Sequence, residues 1–329
     1  VNAVCHDDLW ECPEGASPYQ QVWRDERCLP LESSLGRLMS DGVNEAPVPI
    51  PIEGRCDWVF PTSDGVHLAS VDVGDSCDSL AAPQPLDAIG EGFDYLAVQG
   101  SFVDGAGATR VLSRGWNFDA SEPYGVRSDG VAIASVSGRA MDVAQPTFFD
   151  TSLDLGDAVL VDGGFVYAYG CPGTPHWLEE DCFVGRAPLD AVDTRSAWQI
   201  FGAGGWDQGK PARVFGSGPH RGGVARDPRA GDSFLHIYAI GFGSSIELTT
   251  APRPEGPWSP SHTLVACELP KRDPDAYCAG PVIHLELFDP MRPNELVISY
   301  SVGTTAAEQT ELRRAHPEDY WPRVMRVRR

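Results

Sequence analysis

The sequence predicts an all-β fold whose simplest architecture is a β-propeller. Three observations carry this. Gly (35) and Pro (28) punctuate the 329 residues so often that long helices do not survive between them, whereas short strands joined by turns do. Apolar, β-branched and aromatic runs bounded by turn residues recur from Cys56 onward. Similar strand-and-glycine units return at wide, irregular spacing, as four-stranded blades of one circular array would, with a jelly roll or a pair of sandwiches as the alternatives.

In chain order, residues 1–55 differ from the rest. Cys5, Cys12 and Cys28 lie in CHDDLWECPEGASPYQQVWRDERC, and the Pro-rich APVPIPIEG follows. This segment is expected to be a cysteine-rich extension beside a main domain of residues 56–329. Residues 66–73 (VHLASVDV) read as a strand ending in Gly74-Asp75-Ser76. Residues 157–170 (DAVLVDGGFVYAYG) read as a hairpin turning at Asp162-Gly163-Gly164. Strands are expected over 233–241 (SFLHIYAIG), 244–250 (SSIELTT) and 295–303 (ELVISYSVG), with a turn-rich connection at 251–260. The helical period is confined to 305–314, with one further turn at 189–193.

Nine cysteines point to an oxidising compartment. Cys171 and Cys182 bracket PGTPHWLEED, and Cys267 and Cys278 bracket ELPKRDPDAY. Neither pair has the CxxC spacing of a zinc site, so two local disulfides are expected, each stabilising by about 3 kcal/mol in the chain-entropy model. Cys5, Cys12, Cys28, Cys56 and Cys77 remain, enough for two more bridges and one thiol. The start at Val1 reads as a mature or trimmed form of a secreted or cell-surface protein.

The formal net charge is −22, which repels phosphate backbones and anionic headgroups. Nucleic acid is therefore excluded as a partner class, and neutral polysaccharide or oligosaccharide fits. No apolar run is long enough for a transmembrane helix. Walker, GxSxG, HExxH and EF-hand patterns are absent from the sequence. No cofactor or catalytic metal is expected, and a structural calcium on the axis is the alternative left open by the abundant Asp.

Several segments, taken in order, resemble a known group. Gly74-Asp75-Ser76 resembles the GD(T/S) element of bacterial five-bladed propellers. FVYAYG (165–170), CFVGRAPL (182–189) and SAWQIFGAGGW (196–206) resemble their middle blades, and IELTTAPRPEGPWS (246–259) the strand and GPW turn that follow. His284-Leu285-Glu286, LVISYS (296–301) and YWPRVMRV (320–327) resemble the last blade and closing strand. Over roughly residues 57–329 the chain is similar to the endo-D-arabinanase family formerly described as a domain of unknown function, near the arabinanase and fructosidase propellers. Residues 80–150 match poorly, and Ser76 stands where the family usually has Thr.

The resemblance implies a five-bladed propeller whose inner strands bring distant carboxylates to one mouth of an axial funnel. Glycoside hydrolysis needs one protonated and one ionised carboxyl group across the scissile bond. Asp57, Asp75 and Asp157 are the candidates, each standing at an expected strand end; the alternative for each is an ordinary turn or cap. His284 and Glu286 share one face of VIHLELF if that segment is a strand, where they can hydrogen-bond sugar hydroxyls. His220 and Arg221 lie among glycines in SGPHRGG. Trp116 and Trp206, and also Trp177, sit in polar or glycine-rich contexts where an indole face can stack on a sugar ring. The expectation is a secreted glycoside hydrolase acting on an arabinose-type furanose polysaccharide. The alternative is a non-catalytic carbohydrate-binding or surface-adhesion propeller.

Overall fold

The chain is built from short antiparallel meanders of three to five strands, each returning on itself through turns. The structure is a computed structural model that describes residues 22–23, 48–52, 55–61, 68–72, 84–89, 95–118, 121, 126–137, 140–150, 152–172, 181–216, 223–229 and 231–329. After β1 (Val22–Trp23), the first meander is β2 (Val48–Ile52), β3 (Arg55–Pro61), β4 (Leu68–Asp72) and β5 (Gln84–Ile89). The second is β6 (Tyr95–Val103), β7 (Thr109–Phe118), β8 (Val126–Ser137) and β9 (Ala140–Phe149). A third sheet runs β10 (Ala158–Asp162), β11 (Phe165–Gly170), β12 (Asp181–Pro188), β13 (Gln199–Gly202) and β14 (Gly205–Trp206), with β15 (Phe215–Gly216) on β12. Next come β16 (Gly223–Arg226), β17 (Phe234–Ala239), β18 (Ser245–Ala251) and β19 (His262–Ala266). The last sheet is β20 (Ala276–Ile283), β21 (Glu295–Thr304) and β22 (Arg323–Arg328), and β1 adds to its outer side through Val22↔Val327 and Trp23↔Arg326.

The architecture is an all-β propeller. Its described strands fall into four sheets, where five separate blades are expected. The physical reason is one parallel pairing: β5 lies against β9 from Asp87↔Ala140 to Ile89↔Asp142, and this merges the first two meanders into a single eight-stranded sheet. The segment expected to be an extension also differs from expectation. Its β1 and β2 are strands of the propeller sheets, because β2 pairs with β3 from Val48↔Val59 to Ile52↔Arg55. Cys5, Cys12, Cys28 and Cys77 lie outside the described residues.

Apolar side chains fill the spaces between successive sheets. Leu112, Val131, Phe149, Leu155, Val166 and Trp198 form one such layer, with Trp198 edge-on to Phe149 at 4.8 Å. Leu235, Ile246, Val265, Ile298, Tyr300 and Met325 belong to another. All six residues of β17 are buried, because each face of that strand packs on a neighbouring layer. Each such Leu, Ile or Val contributes about 1.5–3 kcal/mol.

The expected hairpin is β10–β11, turning at Gly163 and Gly164, both at positive φ. Both expected disulfides, Cys171–Cys182 and Cys267–Cys278, are formed. The helix α1 covers Gln309–Ala315, later than the expected 305–314, and the turn expected at 189–193 is followed by a 3-10 turn at Arg195–Ala197. Among the described residues, no helix is long and apolar enough to cross a membrane.

Candidate functional site

The first strands of five meanders, β2, β6, β10, β16 and β20, line a cavity of about 110 Å³. Pro49, Gln99, Ser101, Val224 and Val282 contribute to its lining, and so does Asp157, the residue before β10. Sequence and packing set Asp157 there. Residues 152–157 form a tight turn in which Asp154 adopts φ 47 and Gly156 φ 152. The backbone N–H groups of Gly156 and Asp157 both donate to Tyr169 O at 2.8 Å, laying the turn on the end of β11. Gly170 permits that approach, since a Cβ there would stand 2.4 Å from Leu153 O and 2.5 Å from Asp154 O.

Arg114 of β7 reaches this turn with a fully buried side chain. Its Nη2 lies 2.9 Å from Asp154 Oδ2 and 2.8 Å from Asp157 Oδ1. Asp157 Oδ2 accepts the backbone N–H of Cys171 at 2.8 Å. Asp154 Oδ1 is buried and has no hydrogen-bond partner among the described residues. One guanidinium thus serves two carboxyl groups. Burial pushes the Asp154 carboxyl up to about 7; Arg114 opposes this, while the charges of Asp157 and Asp150 add to it. A proton on Asp154 leaves one positive and one negative group in the buried trio, which is the low-cost charge state in a low-dielectric setting.

A second polar group ties the first meander to the last sheet. Trp58 of β3 and His284 are buried side by side, ring centroids 4.4 Å apart. Glu286 Oε1 accepts the Trp58 indole N–H at 2.9 Å and stands 2.6 Å from His284 Nδ1, and His284 Nε2 lies 2.7 Å from Ser299 Oγ. Burial alone would raise the Glu286 carboxyl, but His284, its backbone and Trp58 together hold it below the usual carboxylate range. Among the described residues, no three His, Cys, Asp or Glu side chains gather where they could hold a metal ion.

The model of a family described as "Domain of unknown function (DUF5005)" matches residues 87–329. The chain belongs to the DUF5005 family. No curated protein matches it. Among solved structures, this DUF5005 chain is similar to a candidate hydrolase of Bacteroides ovatus ATCC 8483, with 15% identity, 96% of this chain and 93% of that one covered, and a TM-score of 0.67. It is also similar to a thermostable family-43 glycoside hydrolase (13% identity, 88% and 91% covered, TM-score 0.52). The third is an α-L-arabinofuranosidase of Lactobacillus brevis (10% identity, 86% and 90% covered, TM-score 0.54). These likenesses show the fold.

The DUF5005 match includes Arg114, Asp154, Asp157, His284 and Glu286, whereas Asp57 and Asp75 precede it. Of the three expected catalytic carboxylates, Asp157 lines the cavity. Asp57 stands in β3 opposite Ile50 and Asp72. Asp75, Trp177, His220 and Arg221 lie outside the described residues. Glu286 departs from the strand reading: Leu285–Leu287 is a 3-10 turn, so simple alternation does not set its face. Both ring nitrogens of His284 already face protein partners, so its polar atoms are engaged within the fold. Trp116 is half-buried in β7 with the Arg114 guanidinium 5.5 Å from its ring centre. Trp206 is in β14, at the end of its sheet farthest from β10, packed on Tyr167 and Phe201 under the Arg186 guanidinium at 4.0 Å.

Sequence reasoning missed Arg114 and Asp154. The signal for Arg114 was a second cation, after Arg110, within the strand run TRVLSRGWNF, since a buried Arg is rarely found without a partner. The signal for Asp154 was LDLGD, which carries two carboxylates around a glycine immediately before a buried strand.

Proposed function

We propose that this DUF5005 protein is a secreted glycoside hydrolase that cleaves an arabinose-type furanose polysaccharide through carboxyl groups at the propeller axis. The observation that carries the reading is Asp157 on the wall of the cavity between the inner strands, sharing Arg114 with the buried Asp154 behind it. Asp154, kept protonated up to about pH 7, leaves the Arg114 guanidinium to Asp157, and the carboxyl group opposite Asp157 that glycoside hydrolysis requires comes from elsewhere. Asp154 and Asp157 share a single Arg114 nitrogen, which sets them side by side rather than across a bond. Asp157 therefore acts with Asp57 or Asp75, while Asp154 tunes it. The chemistry runs on carboxyl groups and takes no cofactor.

The similar folds named as a family-43 glycoside hydrolase and an arabinofuranosidase support the substrate class. The cavity lined by five inner strands supports counting the eight-stranded sheet as two blades, and hence five in all. The two disulfides support an extracytoplasmic location. Trp116, with His220 and Arg221, completes the proposed sugar-contacting set, and His284 and Glu286 support it by stiffening the Leu285–Leu287 turn.

The test is reducing-end release from arabinans, galactans and fructans by the wild type, Asp157→Asn and Asp75→Asn. Release by the wild type and loss of at least about a hundredfold in Asp157→Asn is expected, the scale of a general acid–base contribution. Binding to one of these polymers without release by any form would replace the hydrolase with the non-catalytic binder.

A further inference from the structure

We propose that the Cys171–Cys182 bridge is a positioning element for the axial carboxylates: it pins the backbone amide that holds Asp157. Cys171 directly follows β11 and Cys182 is the second residue of β12, so the bridge closes the hairpin beyond its last register pair, Gly170↔Phe183. The bridge lies at the loop end of this ladder, and a covalent closure there limits local opening of the strand ends. Four of the contacts that seat the Asp154–Asp157 turn come from this short stretch. Tyr169 O accepts two turn amides, Gly170 makes room for the Leu153 and Asp154 carbonyls, and the Cys171 N–H donates to Asp157 Oδ2. Asp157 in turn shares Arg114 with Asp154. The cysteines are themselves buried, at 4% and 0% exposure, so the bridge acts as a fixed clamp.

The second bridge supplies an internal comparison. Cys267–Cys278 closes a loop with the same sequence separation of 11, but its amides donate to the carbonyls of Ser244 and Gly243. A role specific to the carboxylates separates the two bridges, whereas a general contribution to stability does not.

The inference rests on the proposed hydrolase only for its activity readout. The experiment compares Cys171→Ser/Cys182→Ser with Cys267→Ser/Cys278→Ser in the full chain. Asp side-chain carboxyl titrations are followed by carbon NMR, and the pH profile of hydrolysis is recorded beside them. The groups facing the titrating pair are Arg114, Asp150 and the Cys171 amide. In the first variant the Asp154 midpoint is expected to move by at least about half a pH unit, roughly threefold in its protonation equilibrium. Its kcat is expected to fall with KM near the wild-type value. The second variant is expected to keep the wild-type midpoint and profile. Equal shifts in both variants, or none in the first, would overturn the proposal. If the first variant does not fold, the unmodified protein decides: the Cys171 amide proton must follow the carboxyl titration, and an amide flat across it overturns the proposal. A wild type that hydrolyses nothing sinks the hydrolase reading, and the carboxyl titration still tests the clamp.

Discussion

Trp58 donates its indole N–H to Glu286 Oε1 at 2.9 Å, joining two residues 228 positions apart. Through this bond and the stacking of Trp58 on His284, the first meander is latched to the last sheet. Removing the acceptor strands a buried indole donor and frees His284 Nδ1, at about 1–3 kcal/mol for each unsatisfied group. Glu286→Ala is therefore expected to lower the denaturant midpoint clearly, and Glu286→Gln, which keeps an acceptor, to lower it less. In a double-mutant cycle Trp58→Phe and Glu286→Ala should couple by at least about 0.5 kcal/mol. Additive losses would mean that the latch contributes nothing beyond packing.

Asp154 gives stability a definite pH slope. Burial raises its folded carboxyl to about 7 from an ordinary 3.8, so between the two the folded chain holds a proton that the unfolded chain has lost. The contribution is full below about pH 4 and disappears as pH rises toward about 7. The difference in melting temperature between wild type and Asp154→Asn is expected to change across that window in favour of the variant at the alkaline end. A difference that stays constant across it would show that Asp154 titrates normally.

His236 produces the opposite slope. It is buried in a stack with Phe215 and Tyr238, with Trp258 edge-on, and desolvation depresses it from 6.5 to about 3. The unfolded chain takes a proton that the folded chain refuses, so stability is lost as pH falls from about 6.5 toward about 3. His236→Phe keeps an aromatic ring and removes the titration, and acid unfolding monitored by circular dichroism should move to lower pH. Unfolding at the wild-type pH would assign the acid transition to other groups.

Gly170 should tolerate no side chain. The Cβ of an alanine would fall 2.4–2.6 Å from backbone atoms of Leu153 and Asp154, which cannot rotate away. Gly170→Ala is expected to cost at least about 2 kcal/mol and to abolish hydrolysis even where the chain still folds. Wild-type stability and turnover in that variant would mean the turn is free to shift.

The strand content was legible because it depends on local pattern: FVYAYG, FLHIYA and ELVISYSVGT are strands in the structure as their β-branched and aromatic runs predict. The two bridges were legible because each closes a short loop. Asp157 was legible as the carboxylate heading an apolar strand. Arg114 was not, because its partners come from a turn 40 residues later, and no local period records that meeting. Glu286 was misread for a related reason. Its HLE segment has the alternation of a strand, but the His284–Val297 backbone bond ends the ladder and the chain coils into a 3-10 turn. The joining of two meanders into one sheet depends on β5 and β9, which are about fifty residues apart in the sequence, and a parallel pairing of that span leaves no turn signature to read.

That parallel pairing has a protective consequence. An outermost strand with its row of N–H and C=O groups open is a template on which another chain can add a strand. In β5 and β9 those rows face each other along Asp87–Ile89 and Ala140–Asp142, so two potential seeding surfaces cancel within one molecule. The chain thereby carries fewer docking edges for its own misassembly.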